Sequence, residues 1–476
     1  MAGQTQLPPG CTGSNCVTAT ANGTYPRVFN NALVDGSFGI TSKIYLAEMT
    51  PGGFPIATMP VPASELVTSF SSKSELALNL SPDGRTLSFM GYVAAPDDVD
   101  VSNSNTPGVI DSTNPVPGAF YRAVAQLSGN GNFGFTETNA YSGNNGRAAI
   151  TANAGGQELI YTSGNAGNGG NPQPDGVILG AGAQLIHPSN QPESAQNPGP
   201  PTPVGSFNIT ELGDKADKIG KDDNFRGLTI SDNVLYYTKG SGGNGVNTVY
   251  FLDTTGKACP NGTGLPAPGA QLPTTGLSYT LSTLQANGLP SNMCILKGFP
   301  TALKSTTSFP FGLWFANADT LYVADEGNGT TTFANGQYTA AAAQSAAGLQ
   351  KWVFDSSAGE WKLAYTLQAG LNLGRPYTVF GYPTGINAAT SLPWAPATDG
   401  LRNITGRVNP NGTVTIWAIT STVSGSGGQG ADPNKLVTIT DPLSATSPAA
   451  GESFRTVRAA RFGEVLRGVS FTPGSR

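Results

Sequence analysis

A strand–turn–strand pattern recurs along the chain and constrains its fold more than any other feature. Each copy joins two runs of mostly apolar residues across a turn, as in a β-hairpin. The copies span residues 76–92, 147–161, 225–237, 311–323 and 401–417. A further strand-like run follows each copy, at residues 120–127, 177–179, 248–253, 349–355 and 435–441. Such repetition predicts an all-β protein built from antiparallel sheets of four strands.

The two ends of the chain supply the parts that one more sheet would need. Residues 43–59 form an outer hairpin with no inner hairpin before it, and residues 466–474 form an inner strand with no outer strands after it. Joining them would close a ring and remove exposed sheet edges. We therefore expect a single β-propeller of six four-stranded blades, closed by N- and C-terminal strands that share one blade. The alternative is a seventh blade within residues 93–140 or 165–215.

Two runs resemble β-propellers of the NHL/YVTN type, namely residues 321–328 (LYVADEGN) and 466–473 (LRGVSFTP). The chain also resembles a group of secreted bacterial propellers that have no assigned activity. The resemblance covers most of residues 40–476 and implies the propeller fold. It implies no particular function, because propellers host binding, hydrolysis, elimination and redox chemistry alike.

The composition agrees with many short strands and limits the kinds of partner. The 476 residues include 63 glycines and 36 prolines, and only 12% are charged. The net charge of −5 argues against nucleic acid as a partner, since phosphate binding needs a basic surface. No apolar run reaches the roughly 18 residues of a membrane span. Residues 1–4 (MAGQ) read as the start of a mature chain whose leader was removed, and we expect a monomer.

The four cysteines bear on the compartment. Cys11 and Cys16 lie close together near the N-terminus, and Cys259 and Cys294 bracket a Pro/Gly-rich insertion. An even number flanking loops predicts two local disulfides in a secreted or periplasmic protein. The alternative is free thiols in a cytosolic protein. We expect residues 1–25 to form a disulfide-pinned arm before a propeller domain of residues 26–476.

One position in the repeats carries an unusual number of arginines. Alignment of the innermost strands on Gly468 places four arginines at the residue that opens the strand and faces the channel mouth. These are Arg147, Arg226, Arg402 and Arg467, with Leu76 and Phe311 at the other two positions. Guanidinium groups suit bidentate binding of carboxylate or phosphate. Alternatively each arginine pairs with a nearby carboxylate and clips blades together; the candidates are Asp222 or Asp223, Asp399 and Glu464.

Other candidate site residues lie around the same mouth. Asp325 and Glu326 follow a blade's second strand, and adjacent carboxylates beside a glycine can act as general acid and base or help to hold Ca²⁺. Ordinary turn chemistry is the alternative. The remaining candidates are Asp222 and Asp223 as acid–base groups, Tyr237 as the base of an elimination, and Lys239 and Asn224 as substrate-binding groups.

Several classes of enzyme are excluded by what the sequence lacks. A single histidine, His187, makes a Ser-His-Asp triad and histidine-based metal sites improbable. The sequence contains no Gly-x-Ser-x-Gly elbow, phosphate-binding P-loop or complete EF-hand loop. Catalysis would therefore depend on Asp, Glu, Tyr, Lys or Arg, with Ca²⁺ as the candidate cofactor.

Together these features predict a secreted propeller that binds an anionic carbohydrate or a small carboxylated or phosphorylated substrate at the channel mouth. It would process that substrate as a lyase or a hydrolase. The alternative is a non-catalytic propeller that binds glycan or protein as a scaffold. The low-complexity segments 160–206, 253–295 and 326–347 are either surface loops or lids over the central face.

Overall fold

The computed structural model describes most of the repeat region. The described residues are 3–7, 17–21, 40–70, 72–108, 110, 116, 118–165, 182–188, 224–240, 246–259, 262–275, 293–302, 307–388, 390–426 and 430–475. They are almost entirely β structure. The one α-helix among them, Thr339–Ala342, has four residues, and none of the described helices is long and apolar enough to cross a membrane.

The N-terminal strands form small separate sheets. β1 (Gly3–Leu7) pairs with β2 (Val17–Ala21). β3 (Thr41–Ser42) pairs with β6 (Thr68–Ser69), and between them β4 (Tyr45–Met49) pairs with β5 (Pro55–Pro60). The blades begin after β6.

Five sheets form the blades of a β-propeller, each with its first strand innermost. Blade one contains β7 (Asn79–Leu80), β8 (Thr86–Tyr92), β9 (Arg122–Ser128) and β10 (Phe133–Thr138). Blade two contains β11 (Gly146–Ala154), β12 (Gln157–Gly164) and β13 (Ala183–Ile186). Blade three contains β14 (Phe225–Ser231), β15 (Val234–Lys239), β16 (Thr248–Leu252), β17 (Thr263–Gly264) and β18 (Met293–Leu296).

The last two blades are the most regular. Blade four contains β19 (Pro310–Asn317) and β20 (Thr320–Asp325), then, after the hairpin of β21 (Phe333–Ala334) and β22 (Gln337–Tyr338), β23 (Gly348–Asp355) and β24 (Glu360–Leu367). A second small hairpin, β25 (Ile386–Asn387) and β26 (Leu392–Pro393), precedes blade five. Blade five contains β27 (Ala397–Val408), β28 (Thr413–Val423), β29 (Lys435–Pro442) and β30 (Arg455–Ala459).

The prediction of six four-stranded blades is wrong in number and in detail. Blades two and three contain three and five described strands, and the remaining blades contain four. β4 and β5 pair with each other as a separate sheet. The described residues after β30 form no strand, so the two segments expected to share a blade do not join. Prolines at both ends of β5 lack the N–H group that a further strand would need.

The C-terminal segment nevertheless lies between blade five and blade one. Asn403 Nδ2 donates a hydrogen bond to the Arg467 carbonyl at 2.8 Å. A Cβ atom on Gly468 would stand 2.4 Å from the Leu76 carbonyl oxygen. The segment therefore fills the gap between the first and last innermost strands without forming a sheet of its own.

The innermost strands approach one another closely because glycine occupies the contact. A Cβ atom on Gly227 would lie 2.1 Å from the Phe311 carbonyl oxygen, and one on Gly312 would lie 2.5 Å from the Arg402 carbonyl oxygen. Any larger residue would force neighbouring blades apart. Apolar residues on the faces of successive blades form the core, with one large cluster spanning blades two to four and another between blades four and five.

The two ends of the channel differ in their loops. We call the end at which the innermost strands begin the mouth. The long connections at residues 326–347, 368–396 and 424–434 leave from strand ends on the mouth side. The insertion after β16 leaves from the opposite end, so its described part is not a lid over the mouth. The outer strand expected at residues 177–179 lies outside the described residues.

One of the two predicted disulfides lies within the described residues and is confirmed. Cys259 and Cys294 are bonded, with Cα atoms 5.6 Å apart, and the bond ties the insertion after β16 to β18. Cys11 and Cys16 lie outside the described residues. The boundary between an N-terminal arm and the propeller domain therefore stays a prediction.

Candidate functional site

Three of the four predicted arginines occupy β-bulges of the innermost strands. The pairing register shifts between Gly146 and Ala148 in blade two, between Phe225 and Leu228 in blade three, and between Leu401 and Ile404 in blade five. The residues inside these bulges include Arg147, Arg226 and Arg402, and all three are buried. A β-bulge changes the direction of the side chain of the bulged residue relative to a regular strand. The three buried guanidinium groups therefore lie at the mouth end of their strands.

The carboxylate of Glu326 lies among three positively charged side chains, those of Lys73, Arg226 and Arg402. It follows β20 and is 3% exposed. Arg402 Nε lies 3.1 Å from its Oε2 atom and Lys73 Nζ lies 3.4 Å from its Oε1 atom. Burial alone would raise the pKa of Glu326, but Lys73, Arg226 and Arg402 outweigh it and bring that pKa to about 2. Glu326 is therefore ionised at neutral pH.

Two more carboxyl groups lie beside Glu326 in different surroundings. Asp325 accepts hydrogen bonds from the backbone N–H groups of Phe309 at 2.7 Å and Gly327 at 3.0 Å. Burial raises the pKa of Asp325 to about 7 despite these bonds. Asp399 accepts a bond from Gln344 Nε2 at 2.7 Å, and burial raises its pKa to about 6. Among the described residues, Glu326 is thus an ionised carboxylate beside two carboxyl groups, Asp325 and Asp399, whose pKa values lie near neutral pH.

A fourth carboxylate, Glu75, is held by the residues around it. Its Oε2 atom accepts bonds from Thr68 Oγ1 at 2.8 Å and from the Ser69 N–H at 3.0 Å, and Tyr92 Oη donates to Oε1. The next residue, Leu76, has φ of 60°. A leucine in this left-handed region costs roughly 1–2 kcal/mol, so the surroundings of Glu75 impose the conformation.

Among the described residues, Arg402 and Arg467 do not pair with the carboxylates that their sequence neighbourhood suggested. Arg402 pairs with Glu326 rather than with Asp399. Glu464 instead lies 3.6 Å from Arg458. Arg467 donates to the Phe70 carbonyl oxygen.

The other two arginines donate to neutral acceptors. Arg226 Nη1 donates to Ser74 Oγ, and the Arg226 guanidinium carbon lies 5.8 Å from the centre of the Phe311 ring. Arg147 Nη1 donates to Asn224 Oδ1 and to the Phe225 carbonyl oxygen. Burial, reinforced by the charge of Arg226, holds the pKa of Arg147 well below its usual value.

The remaining predicted residues are divided between the mouth and the core. Asn224 contacts Arg147 and belongs to the mouth. Lys239 is paired opposite Phe225 at the mouth end of β15 and is buried, with Nζ 3.5 Å from Asn247 Oδ1. Tyr237 packs against the Phe225 ring inside the apolar core, and burial raises its pKa well above the usual value. That environment disfavours Tyr237 as a base at neutral pH.

The prediction that Asp222 and Asp223 are acid–base groups concerns residues outside the described ones, so their place relative to Arg226 is not described. The prediction of a Ca²⁺ site is covered only in part by the described residues. In the described part of the chain, no group of three or more His, Cys, Asp or Glu side chains could hold a metal ion.

The sequence prediction missed Lys73 and Glu75. Both belong to residues 72–76 (SKSEL), which read as a polar lead-in to the first inner hairpin. The alignment could have identified them, because Leu76 aligns with the four arginines that open the innermost strands. Charged residues that come just before Leu76 are therefore expected to lie near the mouth.

Residues 69–76, which we name the crossing segment, link elements around the ring. Ser72 Oγ accepts a bond from Asn145 Nδ2 at 3.0 Å, and Ser74 Oγ accepts one from Arg226. Lys73 contacts Glu326. Residue 71 is outside the described residues. These contacts join described residues of the segment to residues at the mouth end of blades two, three and four.

Comparison with known proteins identifies no family and no activity for the chain. No protein-family model and no curated protein matches the chain. A protein of unknown function from Desulfotomaculum acetoxidans is similar in structure, with 12% identity, 88% of this chain and 98% of that chain covered, and a TM-score of 0.25. The hemagglutinin-neuraminidase ectodomain of parainfluenza virus 5 is similar with 9% identity, 93% and 89% coverage, and a TM-score of 0.28. Scores this low carry no inference about activity.

Proposed function

We propose that the mouth binds the carboxylate or phosphate group of an anionic carbohydrate or of a small carboxylated or phosphorylated substrate. The observation that carries the proposal is the convergence of Lys73, Arg226 and Arg402 on the single carboxylate of Glu326. Positively charged groups that lie close together attract an anion, and guanidinium groups bind planar anions with two hydrogen bonds. Arg147 and Asn224 would extend this site on one side, and Arg467 and Lys239 are the other binding candidates.

The proposed chemistry is acid–base catalysis of the lyase or hydrolase type. The surroundings push the pKa values of neighbouring carboxyl groups apart, with Glu326 at about 2 and Asp325 at about 7. Such a separation provides a permanent anion beside a group that can exchange protons at neutral pH. In an elimination, a carboxylate would remove the proton next to the substrate's carboxylate. The C–H electrons would form the double bond, and the departing oxygen would take a proton from a second acid.

Asp325 and Asp399 are the acid–base candidates that the described geometry supports best. Asp222 and Asp223 remain candidates from the sequence. Secretion stays part of the proposal and is supported by the Cys259–Cys294 disulfide, because disulfides persist in oxidising compartments. A requirement for Ca²⁺ and a monomeric state also remain predictions.

The second candidate function is a non-catalytic binding or scaffold propeller. It is favoured by a specific observation: Arg147 and Arg226 donate to protein acceptors contributed by other elements, namely Asn224 and Ser74. Contacts of this kind can link blades without any ligand. Under this reading the long mouth-side loops would supply the binding surface for glycan or protein.

Turnover of an anionic glycan panel tests the proposed function. The wild type, Arg226→Ala and Arg226→Lys would be assayed for unsaturated uronate products and for reducing ends. Arg85→Ala is the matched control, because the Arg85 side chain is 84% exposed at a turn away from the mouth. We expect activity that both Arg226 variants lose and the control keeps. Absence of turnover by the wild type on every charged glycan would favour the scaffold, and turnover that survives Arg226→Ala would contradict the site.

A further inference from the structure

Lys73 places an amine at the mouth that solvent can reach. Its side chain is 30% exposed, and its Nζ atom lies 3.4 Å from Glu326 Oε1. Lys239, the other lysine among the candidate residues, is only 1% exposed. Arg226 and Arg402 are also buried. A bound substrate can therefore meet the amine of Lys73, whereas the amine of Lys239 is enclosed by protein.

The crossing segment holds Lys73 in place from both sides. Its chain neighbours Ser72 and Ser74 are buried, and their hydroxyl groups accept hydrogen bonds from Asn145 Nδ2 and from Arg226. A catalytic group whose backbone is fixed in this way is already positioned for reaction, so it does not have to be ordered when the substrate arrives.

The surroundings of Lys73 favour its neutral amine more than solvent would. Burial of most of the side chain lowers the pKa of Lys73, and the charges of Arg226 and Arg402 add to this effect and together outweigh the opposing charge of Glu326. The Glu326 carboxylate is shared, since Arg402 Nε lies 3.1 Å from it. A lysine that is desolvated beside other cations is a nucleophile, because its neutral amine carries a lone pair.

Two carboxyl groups near this amine can exchange protons at neutral pH. Asp399 lies close enough for the charge of Lys73 to act on it, and Asp325 directly precedes Glu326. Burial raises the pKa of Asp399 to about 6 and that of Asp325 to about 7. Groups with such pKa values can give a proton to an oxygen atom and take one back within a reaction.

We infer that Lys73 is a nucleophile that forms an imine with the carbonyl carbon of a 2-oxo acid. The inference rests on the proposed function, because Arg226 and Arg402 would bind the carboxylate of that substrate. It deepens the proposed function by naming the class of small carboxylated substrate.

The reaction can be written with Asp399 as the proton carrier. The amine nitrogen forms a bond to the carbonyl carbon, and the carbonyl π electrons move to the oxygen. That oxygen takes a proton from Asp399, and the nitrogen returns one to Asp399. The hydroxyl group then takes a second proton and leaves as water while the nitrogen lone pair forms the C=N bond. The protonated imine withdraws electrons from the adjacent carbon, as a reaction of the lyase type requires.

The test is reductive trapping of the wild-type protein at neutral pH with glyoxylate and cyanoborohydride, followed by peptide mass mapping. Glyoxylate is the smallest 2-oxo acid, and hydride from cyanoborohydride converts each imine into a stable carboxymethyl group on its lysine. Lys43 is the internal control, because it is an exposed lysine of the same protein. Acetaldehyde is the matched probe without a carboxylate. The Lys73→Arg variant keeps the positive charge and removes the amine, and calorimetry measures glyoxylate binding.

We expect glyoxylate to modify Lys73 at least about tenfold faster than Lys43, although Lys43 is the more exposed, and acetaldehyde to show a smaller ratio. Lys73→Arg should lose this fast modification. Modification of Lys73 no faster than that of Lys43 would overturn the inference. Glyoxylate that binds without modifying Lys73 would also overturn it and leave the anion site standing. Equally fast modification of Lys73 by both probes would support the nucleophile and count against the anion site.

Discussion

Replacement of Glu326 by glutamine perturbs the carboxylate that lies between Lys73 and Arg402. The variant keeps the shape of the side chain and removes its charge. The pKa of Glu326 lies at about 2 in the folded protein, compared with 4.5 for an unperturbed glutamate. At about 1.36 kcal/mol per pKa unit, ionised Glu326 stabilises the fold by about 3 kcal/mol at neutral pH. We expect Glu326→Gln to lower the free energy of unfolding by that amount.

The pH dependence of this loss follows from the direction of the shift. A lowered pKa in the folded state gives stability that is complete above about pH 4.5 and is lost as the pH falls towards about 2. The difference between wild type and Glu326→Gln should therefore shrink to about 1 kcal/mol near pH 3. Urea unfolding followed by tryptophan fluorescence measures it. The control is Glu48→Gln, at an exposed position of β4. A loss that does not depend on pH, or one no larger than the control's, would refute the reasoning.

Three further predictions follow from other buried groups. The stability of the wild type should fall relative to that of Asp325→Asn as the pH rises from about 3.8 to about 7, because burial raises the Asp325 pKa to about 7 and disfavours the ionised carboxylate in the folded protein; unfolding temperatures of the two proteins with the same pH dependence would contradict this. Lys351→Met should lower the free energy of unfolding by about 3–5 kcal/mol in urea, because it leaves the buried Asp441, 2.9 Å from Lys351 Nζ, without its cation; Lys351→Met/Asp441→Leu should recover only part of the loss, since the Tyr322 and Tyr365 hydroxyl groups lose their acceptor, and an equally unstable double variant would contradict the reasoning. Gly227→Ala should cost about 1–3 kcal/mol, since its Cβ would lie 2.1 Å from a backbone oxygen; a loss no larger than that of the open-site control Gly52→Ala would contradict it.

The inner hairpins could be predicted because their signals are local. In residues 147–161 and 401–417, the apolar runs and the turn glycines lie within one short stretch, and both became paired strands. The alignment also placed Arg147, Arg226 and Arg402 at one level of the ring. Its physical basis is the bulge that each of these innermost strands makes at the arginine.

How the propeller closes, and which side chains meet at the mouth, depend on contacts between residues that are far apart in sequence. Whether residues 43–59 and 466–474 pair depends on how the ends meet around the ring, and the sequence contains no register signal for that step. The pairing of Arg402 with Glu326 joins residues from two blades, whereas the sequence suggested the nearer Asp399. Lys73 was missed for the same reason, because its partner Glu326 lies 253 positions away.

The central claim is that the mouth holds an anion between Arg226 and Arg402, and a crystal structure with bound tungstate tests it most directly. Tungstate resembles phosphate in shape and charge, and its anomalous scattering locates it without ambiguity. We predict a tungsten peak within hydrogen-bonding distance of both guanidinium groups. Tungsten peaks confined to other surfaces, with the Arg226–Ser74 and Arg402–Glu326 contacts intact, would contradict the account.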